Sequence, residues 1–401
     1  MSFIKVLKSA AKLIHSKKIS LFTCDVRKQK SYLEQFNEPK DDIERSYFQY
    51  KCQMQLLGKS VHFLLNFASF FLSLFYLFRF VLNFKSESPT VYETWQNAFF
   101  ITDGKPKNIL PKDLSNKFPE IYYGEITHSL NLNVQDRKFI FNIIKRYPFS
   151  WHFIFKCLLK VAMYSSIIDR KKVKALIVCS EYTFTSSLLT SYCETRNVEH
   201  INIMHGEKLF YIRDSFFRFH KCYIWDDFYK QLFIQLRANP DQFTVALPES
   251  INFVDTDIIE KKYDFTYYLG GEQESDLLAI NNSLIKLSNK GFEISIRPHP
   301  RYTDLNLVNK IFPQFEIEDC KNITIEESIL RTGCAISLYS TVLNQAIRNG
   351  VEIVIDDLTN PKKYNRLIDL QYVMLSKKHT LISNLVEDNA ASKNNKVLVN
   401  I

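Results

Sequence analysis

A chain of 401 residues is too long for one small core, and two domains is the natural expectation. Hydrophobic content of 46% and charged content of 24% exclude a disordered polymer, and 9 glycines with no GxGxxG or GxxxxGK(S/T) run argue against a glycine-rich phosphate loop. The net charge of +9 suits an anionic membrane surface, a phosphorylated substrate or a nucleic acid.

Residues 1–24 carry Lys5, Lys8, Lys12, Lys17 and Lys18 among apolar positions, with no apolar core or cleavage site of a secretory signal. This pattern fits a basic amphipathic helix on anionic lipid, or a surface helix with a lysine-rich outer face. Residues 61–78, VHFLLNFASFFLSLFYLF, have no formal charge apart from a protonated His62. Roughly 18 such residues is the lower limit for a membrane span. Asn66, Ser69, Ser73 and the following Arg79 favour a buried or interfacial helix, with monotopic attachment, over a membrane span, which the sequence leaves open.

Residues 1–95 read as a helical N-terminal region in membrane contact, with a polar break at Lys85-Ser86-Glu87-Ser88-Pro89. Residues 97–102 form a strand candidate that runs into Asp103-Gly104-Lys105-Pro106. One or two helices are expected over 139–166. Strands follow over 173–179, 199–204 and 222–225, with a helix over 183–194 after the first. The second strand exits into His205-Gly206-Glu207. After a linker near 248–259 the same logic repeats. Strands are expected over 265–269, 292–297, 334–338 and 351–355, and helices over 276–290, 325–331 and 342–349. The expected architecture is α/β: two doubly wound Rossmann-like domains facing a cleft, at 96–255 and 256–401. The eight scattered cysteines form no CxxC and read as buried thiols of a cytosolic protein.

The sharpest local signal is Arg297-Pro298-His299-Pro300 at a strand exit. Two prolines fix the direction in which the chain leaves the sheet, and two cations there do little for packing. Ligands of open α/β sheets bind outside the carboxyl ends of the strands, so Arg297 and His299, followed by Pro300, suit a phosphate. Gly270-Gly271 after the 265–269 strand permit close backbone approach. Ser340-Thr341 open a helix, whose free N–H groups and dipole favour an anion. Taken alone, that pair is a plain N-cap, and the RPHP run a basic turn.

The ordered set YLGG, ISIRPHP, IEDC with IEES, and ISLYSTVLNQA resembles the donor half of bacterial GT-B glycosyltransferases that use CMP-activated sugars. These are the sialyltransferases and polysialyltransferases, with the capsule Kdo transferases and, more distantly, the CDP-glycerol glycerophosphotransferases. The match spans roughly residues 170–360. It implies that His299 contacts the nucleotide phosphate and aids its departure, and that Ser340 and Thr341 bind the same phosphate. It also implies a metal-independent enzyme without a cofactor. Its partners would be a CMP-sugar donor, a lipid-linked glycan acceptor and the cytoplasmic surface of the inner membrane, not nucleic acid.

The acceptor half departs from the family. Where an acidic Asp/Glu-Asp/Glu-Gly motif is expected, the strand ends in Met204-His205-Gly206-Glu207. A histidine can accept a hydroxyl proton near neutrality, which makes His205 the general-base candidate. Glu207 or Asp214 would orient it or replace it, and Asp103 is a weaker candidate. A glycerophosphotransferase and a non-catalytic polysaccharide-assembly protein remain open beside glycosyl transfer.

Overall fold

The protein is described from a computed structural model, which places residues 24–82, 95–102, 108–124, 132–253 and 260–387. The lysine-rich segment 1–23, the polar break at 85–89, and Asp103 with its turn lie outside the described residues. Two compact units divide the chain: Met1–His205 with Phe210–Pro248, and Gly206–Leu209 with Glu249–Ile401.

Unit 1 is built on β1 (Ala98–Ile101), β2 (Ile121–Gly124), β3 (Ala175–Val178), β4 (Glu199–Ile203), β5 (Lys221–Ile224) and β6 (Phe243–Val245). Unit 2 is built on β7 (Tyr263–Tyr268), β8 (Ile294–Arg297), β9 (Glu316–Ile317), β10 (Thr332–Ser337), β11 (Glu352–Ile355) and β12 (Thr380–Leu381). Every pairing within these sheets is parallel. The orders are β2-β1-β3-β4-β5-β6 and β12-β11-β10-β7-β8-β9. Each unit is thus a doubly wound, Rossmann-like parallel α/β sheet, as the sequence led one to expect.

Central strands are apolar on both faces because helices cover both sides of a parallel sheet. All of β3 and all of β8 are buried, Ser295 included. Ser295 tolerates burial because its hydroxyl pairs with that of Thr266 on β7 at 2.8 Å. The expected strands recur as β1, β3, β4, β5, β7, β8, β10 and β11, and residues 139–166 resolve into helices Val134–Arg146 and Trp151–Lys171. Sequence patterning misses β2, β6, β9 and β12, which are the four sheet edges. Edge strands are short and covered on fewer sides, so they lack a continuous apolar run.

The N-terminal helices are a layer of unit 1 rather than a separate body. Gln29, Gln49 and Gln53 reach from helices Val26–Leu33 and Asp42–Leu57 to the turn at Ile212–Asp214. Gln29 Oε1 accepts from Ile212 N–H at 2.9 Å, while Gln49 and Gln53 donate to the Arg213 carbonyl at 3.1 and 3.0 Å. Helix Lys59–Leu82 packs on Trp151–Lys171 through a polar seam. Asn66 Oδ1 accepts from the His152 backbone N–H at 2.9 Å, and Ser69 Oγ pairs with His152 Nδ1 at 3.0 Å.

Burial pushes the His152 imidazole down to about 4, with Lys156 adding to the effect. A folded-state value below the ordinary 6.5 means that the unfolded chain binds the proton more readily. This part of the stability is therefore complete above pH 6.5 and is lost as pH falls toward 4, by roughly 3 kcal/mol. Denaturant titrations across that range, compared with a His152→Gln variant that lacks this slope, check the sign. A second core network joins Asp136 to Arg196. Asp136 accepts from Ser165 and Tyr192 at 2.7 Å each, and Arg196 lies 3.5 Å away. Replacing Arg196 by Leu leaves a fully buried carboxylate without its cation and is expected to destabilise unit 1 by about 3–5 kcal/mol in equilibrium unfolding.

Candidate functional site

In unit 2 the chain lays down β7, β8 and β9 in one direction, then returns to place β10, β11 and β12 on the other side of β7. The strand order therefore reverses between β7 and β10, and the crevice at such a reversal is where open α/β sheets take ligands. With strands about 4.8 Å apart, the exits of β10, β7 and β8 line up within about 10 Å. Those exits carry Ser340-Thr341, Gly270-Gly271 and His299, so the topology sets these sequence-predicted residues side by side.

The β7 and β8 exits are joined by a residue that sequence reading passed over. Thr303 Oγ1 accepts from the His299 backbone N–H and donates to the Gly270 carbonyl, both at 2.8 Å. One hydroxyl thus fixes the spacing of the two loops. The Gly270 N–H donates to Glu272 Oε2 at 2.7 Å, and burial raises the Glu272 carboxyl above its usual range. A Cβ on residue 270 would lie 3.2 Å from Glu272 Oε1, so the glycine makes room for this carboxylate. At Gly271 a Cβ would make only ordinary contact, 3.5 Å from Tyr302 Cβ.

His299 is half-buried, with its ring 4.4 Å from that of Tyr302 at an interplanar angle of 30°. Its Nδ1 accepts from the Arg301 backbone N–H at 3.1 Å. An imidazole that accepts at Nδ1 carries its proton on Nε2, so Nε2 is a donor while the ring is neutral. Partial burial and then the nearby Arg301 charge lower the His299 pKa. Pro298 is buried and Pro300 exposed, and together they set the direction of the loop.

At the β10 exit, Ser340 caps helix Thr341–Arg348, and its Oγ accepts from Val342 N–H at 3.2 Å. The hydroxyl proton of an accepting cap is left to donate outward. Tyr372 OH donates to the Ser340 carbonyl at 3.2 Å and holds the cap from behind. Ser340 and Thr341 are half-buried, at the positive end of the helix dipole.

Arg297 does not fit the phosphate role expected from the sequence. Its guanidinium is buried, with Nη1 2.9 Å from Glu318 Oε2 and Nη2 3.0 Å from the Ile323 carbonyl. A cation neutralised and coordinated inside the core organises the β8–β9 side of the sheet and is not free to meet a ligand. Arg301, exposed beside His299, supplies the outward positive charge at this exit. Asp214 is likewise corrected as a general base. It is 3% exposed, and its Oδ1 is held by Arg213 Nε at 2.9 Å. A base needs hydrogen-bond reach to the proton it removes, and Asp214 is closed in.

His205 is exposed just after β4 and belongs to unit 1, while Glu207 belongs to unit 2. Gly206 between them has φ of +71°, a backbone conformation that a side chain resists. Glu207 Oε1 accepts from Asn344 Nδ2 at 3.1 Å, on the helix that Ser340 caps. Glu181, at the β3 exit beside the strand-order reversal of unit 1, was also missed by sequence reading. It is 1% exposed and accepts from Asn202 Nδ2 at 3.2 Å. Among the described residues no group of three His, Cys, Asp or Glu side chains is arranged to hold a metal. Asp255-Thr256-Asp257 has the Asp-x-Asp spacing of a metal-binding motif and lies outside those residues.

No family model matches the chain, and no curated protein matches it. Solved structures match it weakly. The UDP-GlcNAc 2-epimerase of Neisseria meningitidis bound to UDP-GlcNAc aligns at 10% identity and a TM-score of 0.41, over 73% of this chain and 89% of that one. The wall teichoic acid polymerase TagF aligns at 11% identity and 0.39, over 74% and 80%. The calicheamicin glycosyltransferase CalG4 aligns at 9% identity and 0.40, over 69% and 83%. Likeness at this level is one of general outline, and the chemistry of this chain rests on its own residues.

The bridge at Thr303 can be checked by the titration of His299. In histidine NMR the native ring should be the Nε2–H tautomer, with a midpoint below the ordinary 6.5. In Thr303→Val, which loses both bonds, the midpoint should return toward 6.5 as the loop opens to water.

Proposed function

We propose that this chain is a glycosyltransferase of bacterial surface-polysaccharide synthesis that binds an activated sugar at the strand-order reversal of unit 2. The observation that carries the reading is His299. Its tautomer is held by Arg301 N–H, so that Nε2 keeps its proton as a donor, one strand away from Gly270 and two from the capped helix at Ser340. A neutral donor, two hydroxyls and a helix N-terminus form a set suited to a phosphate that gains charge as it leaves.

The donor class proposed is a CMP-activated sialic acid or related keto-sugar, and the acceptor a hydroxyl of a lipid-linked glycan. The resemblance of the ISIRPHP and ISLYSTVLNQA runs supports that choice of nucleotide. In the proposed reaction the acceptor oxygen attacks the anomeric carbon while the bond from that carbon to the phosphate oxygen breaks. The electron pair leaves with CMP, stabilised by His299 Nε2–H, Ser340, Thr341 and Arg301. His205 takes the hydroxyl proton, a contribution of about 10²–10⁴ in rate. No metal or cofactor is assigned a step.

A thermal-shift series with CMP, CDP, UDP and GDP on native protein and on His299→Ala and Ser340→Ala tests the reading. Stabilisation by CMP that falls about tenfold in apparent affinity in either variant supports it. Selective stabilisation by UDP or GDP replaces the donor class, and transfer of labelled glycerol phosphate from CDP-glycerol replaces the reaction. Nucleotide binding without donor turnover, with or without added magnesium, marks a binding protein instead. His205→Ala should lower kcat by about 10²–10⁴ with little change in CMP affinity.

A further inference from the structure

Helix Lys59–Leu82 is turned inside out relative to a helix on a water-facing surface. Between its two ends, its polar residues face the protein. His62 Nε2 pairs with Tyr50 OH at 2.8 Å, Asn66 and Ser69 hold His152, and Ser73 is fully buried. Five of its phenylalanines and a leucine face out, with Phe63, Phe67, Phe71, Leu74, Phe75 and Phe78 between 47% and 70% exposed, while Phe70, Tyr76 and Phe80 turn toward the protein. Scattered exposed apolar residues are normal, but a contiguous stripe of this kind marks an interaction surface. At 1.5 Å per residue it runs about 22 Å along the helix. Phe149, 85% exposed, extends the patch sideways, since Asn66 Nδ2 reaches its carbonyl at 3.5 Å.

Among the described residues, two helices are long and apolar enough to cross a membrane. Most of the apolar stretch of Trp151–Lys171 is buried in the protein, and it serves as a core helix. Little of the apolar stretch of Lys59–Phe80 is buried, yet its inner polar seam is sealed against that core helix. A helix with one side docked on the rest of unit 1 through hydrogen bonds cannot be ringed by lipid.

We propose that this stripe lies in the plane of an anionic bilayer, immersed to the depth of its phenylalanines, and seats unit 1 on the membrane surface. Charge decides between lipid and a second copy of the chain. The helix contains no Asp or Glu and is bounded by exposed Lys59 at one end and exposed Arg79 at the other. Stripe-on-stripe pairing of two copies brings cation against cation in either direction, with no carboxylate on the helix to answer. Phosphate headgroups flanking buried phenylalanines satisfy both ends. The proposal deepens the membrane half of the functional reading and is independent of its catalytic half.

The test is flotation of the full chain with vesicles of phosphatidylcholine containing 30% phosphatidylglycerol, and with phosphatidylcholine alone. The comparison is a Phe67→Ser/Phe71→Ser/Phe75→Ser variant, whose fold is checked by its thermal melt and its CMP shift. The expected result is binding that prefers the anionic vesicles and falls at least tenfold in the variant. Tryptophans placed at 63, 71 and 78 should be quenched by brominated lipid at equal, shallow depth in difference spectra against the native protein. Undiminished binding of the triple variant overturns the proposal and points to the lysine-rich segment 1–23. Greatest depth at position 71 overturns it in favour of a span. A concentration-dependent dimer that the variant abolishes, without vesicle binding, overturns it in favour of a second copy.

Discussion

A parallel sheet that starts at its centre must reverse its direction of growth once, and the candidate site depends on where unit 2 does so. Because β7 is laid down first and β10 returns beside it, two consecutive loops cannot close over the same crevice. The gap left there is bounded by the exits of three strands that are far apart in sequence. Thr303 then ties the β7 exit to the β8 exit, and Tyr372 backs the cap at the β10 exit. Both contacts are made by residues without charge or obvious chemistry. Their effect is to hold donors in place before any ligand arrives, the condition under which such donors stabilise a developing charge most strongly.

The two arginines at the β8 exit divide the work that composition alone would assign to either. Arg297 is sealed with Glu318, which also accepts from Ser328 Oγ at 2.6 Å. A pair so buried contributes registry as much as stability, because removing one partner would leave the other as an uncompensated charge. Arg301 lies four residues on, past both prolines, and stays in water. The prolines thus separate a structural cation from an outward-facing one.

Unit 1 carries a different kind of information. Its sheet repeats the doubly wound logic, but its N-terminal helices are committed on two sides at once. Glutamines pin the inner helices to the turn at Ile212–Asp214, while the outermost helix spends its few polar groups on the protein and shows its aromatic face to the surroundings. With the lipid-linked acceptor proposed above, such a surface would turn an encounter in three dimensions into one in two.

The sequence by itself determined the central strands, the helices between them and the positions of the chemical groups at strand exits. Continuous apolar runs such as Ala175–Val178 and the proline-bounded RPHP exit are local signals that survive without neighbours. Tertiary structure decided the rest, for reasons of contact and exposure. The edge strands β2, β6, β9 and β12 exist because a neighbour offers hydrogen bonds, not because their residues demand it. Arg297 and His299 are two residues apart and look alike in the sequence, yet one is 7% exposed and neutralised while the other is half-open with a fixed tautomer. Whether a run like 61–78 is core, span or surface depends on which of its faces finds a partner, and periodicity cannot tell the inside of a helix from its outside. The docking of His62 on Tyr50 and of Asn66 and Ser69 on His152 turns one phenylalanine stripe outward.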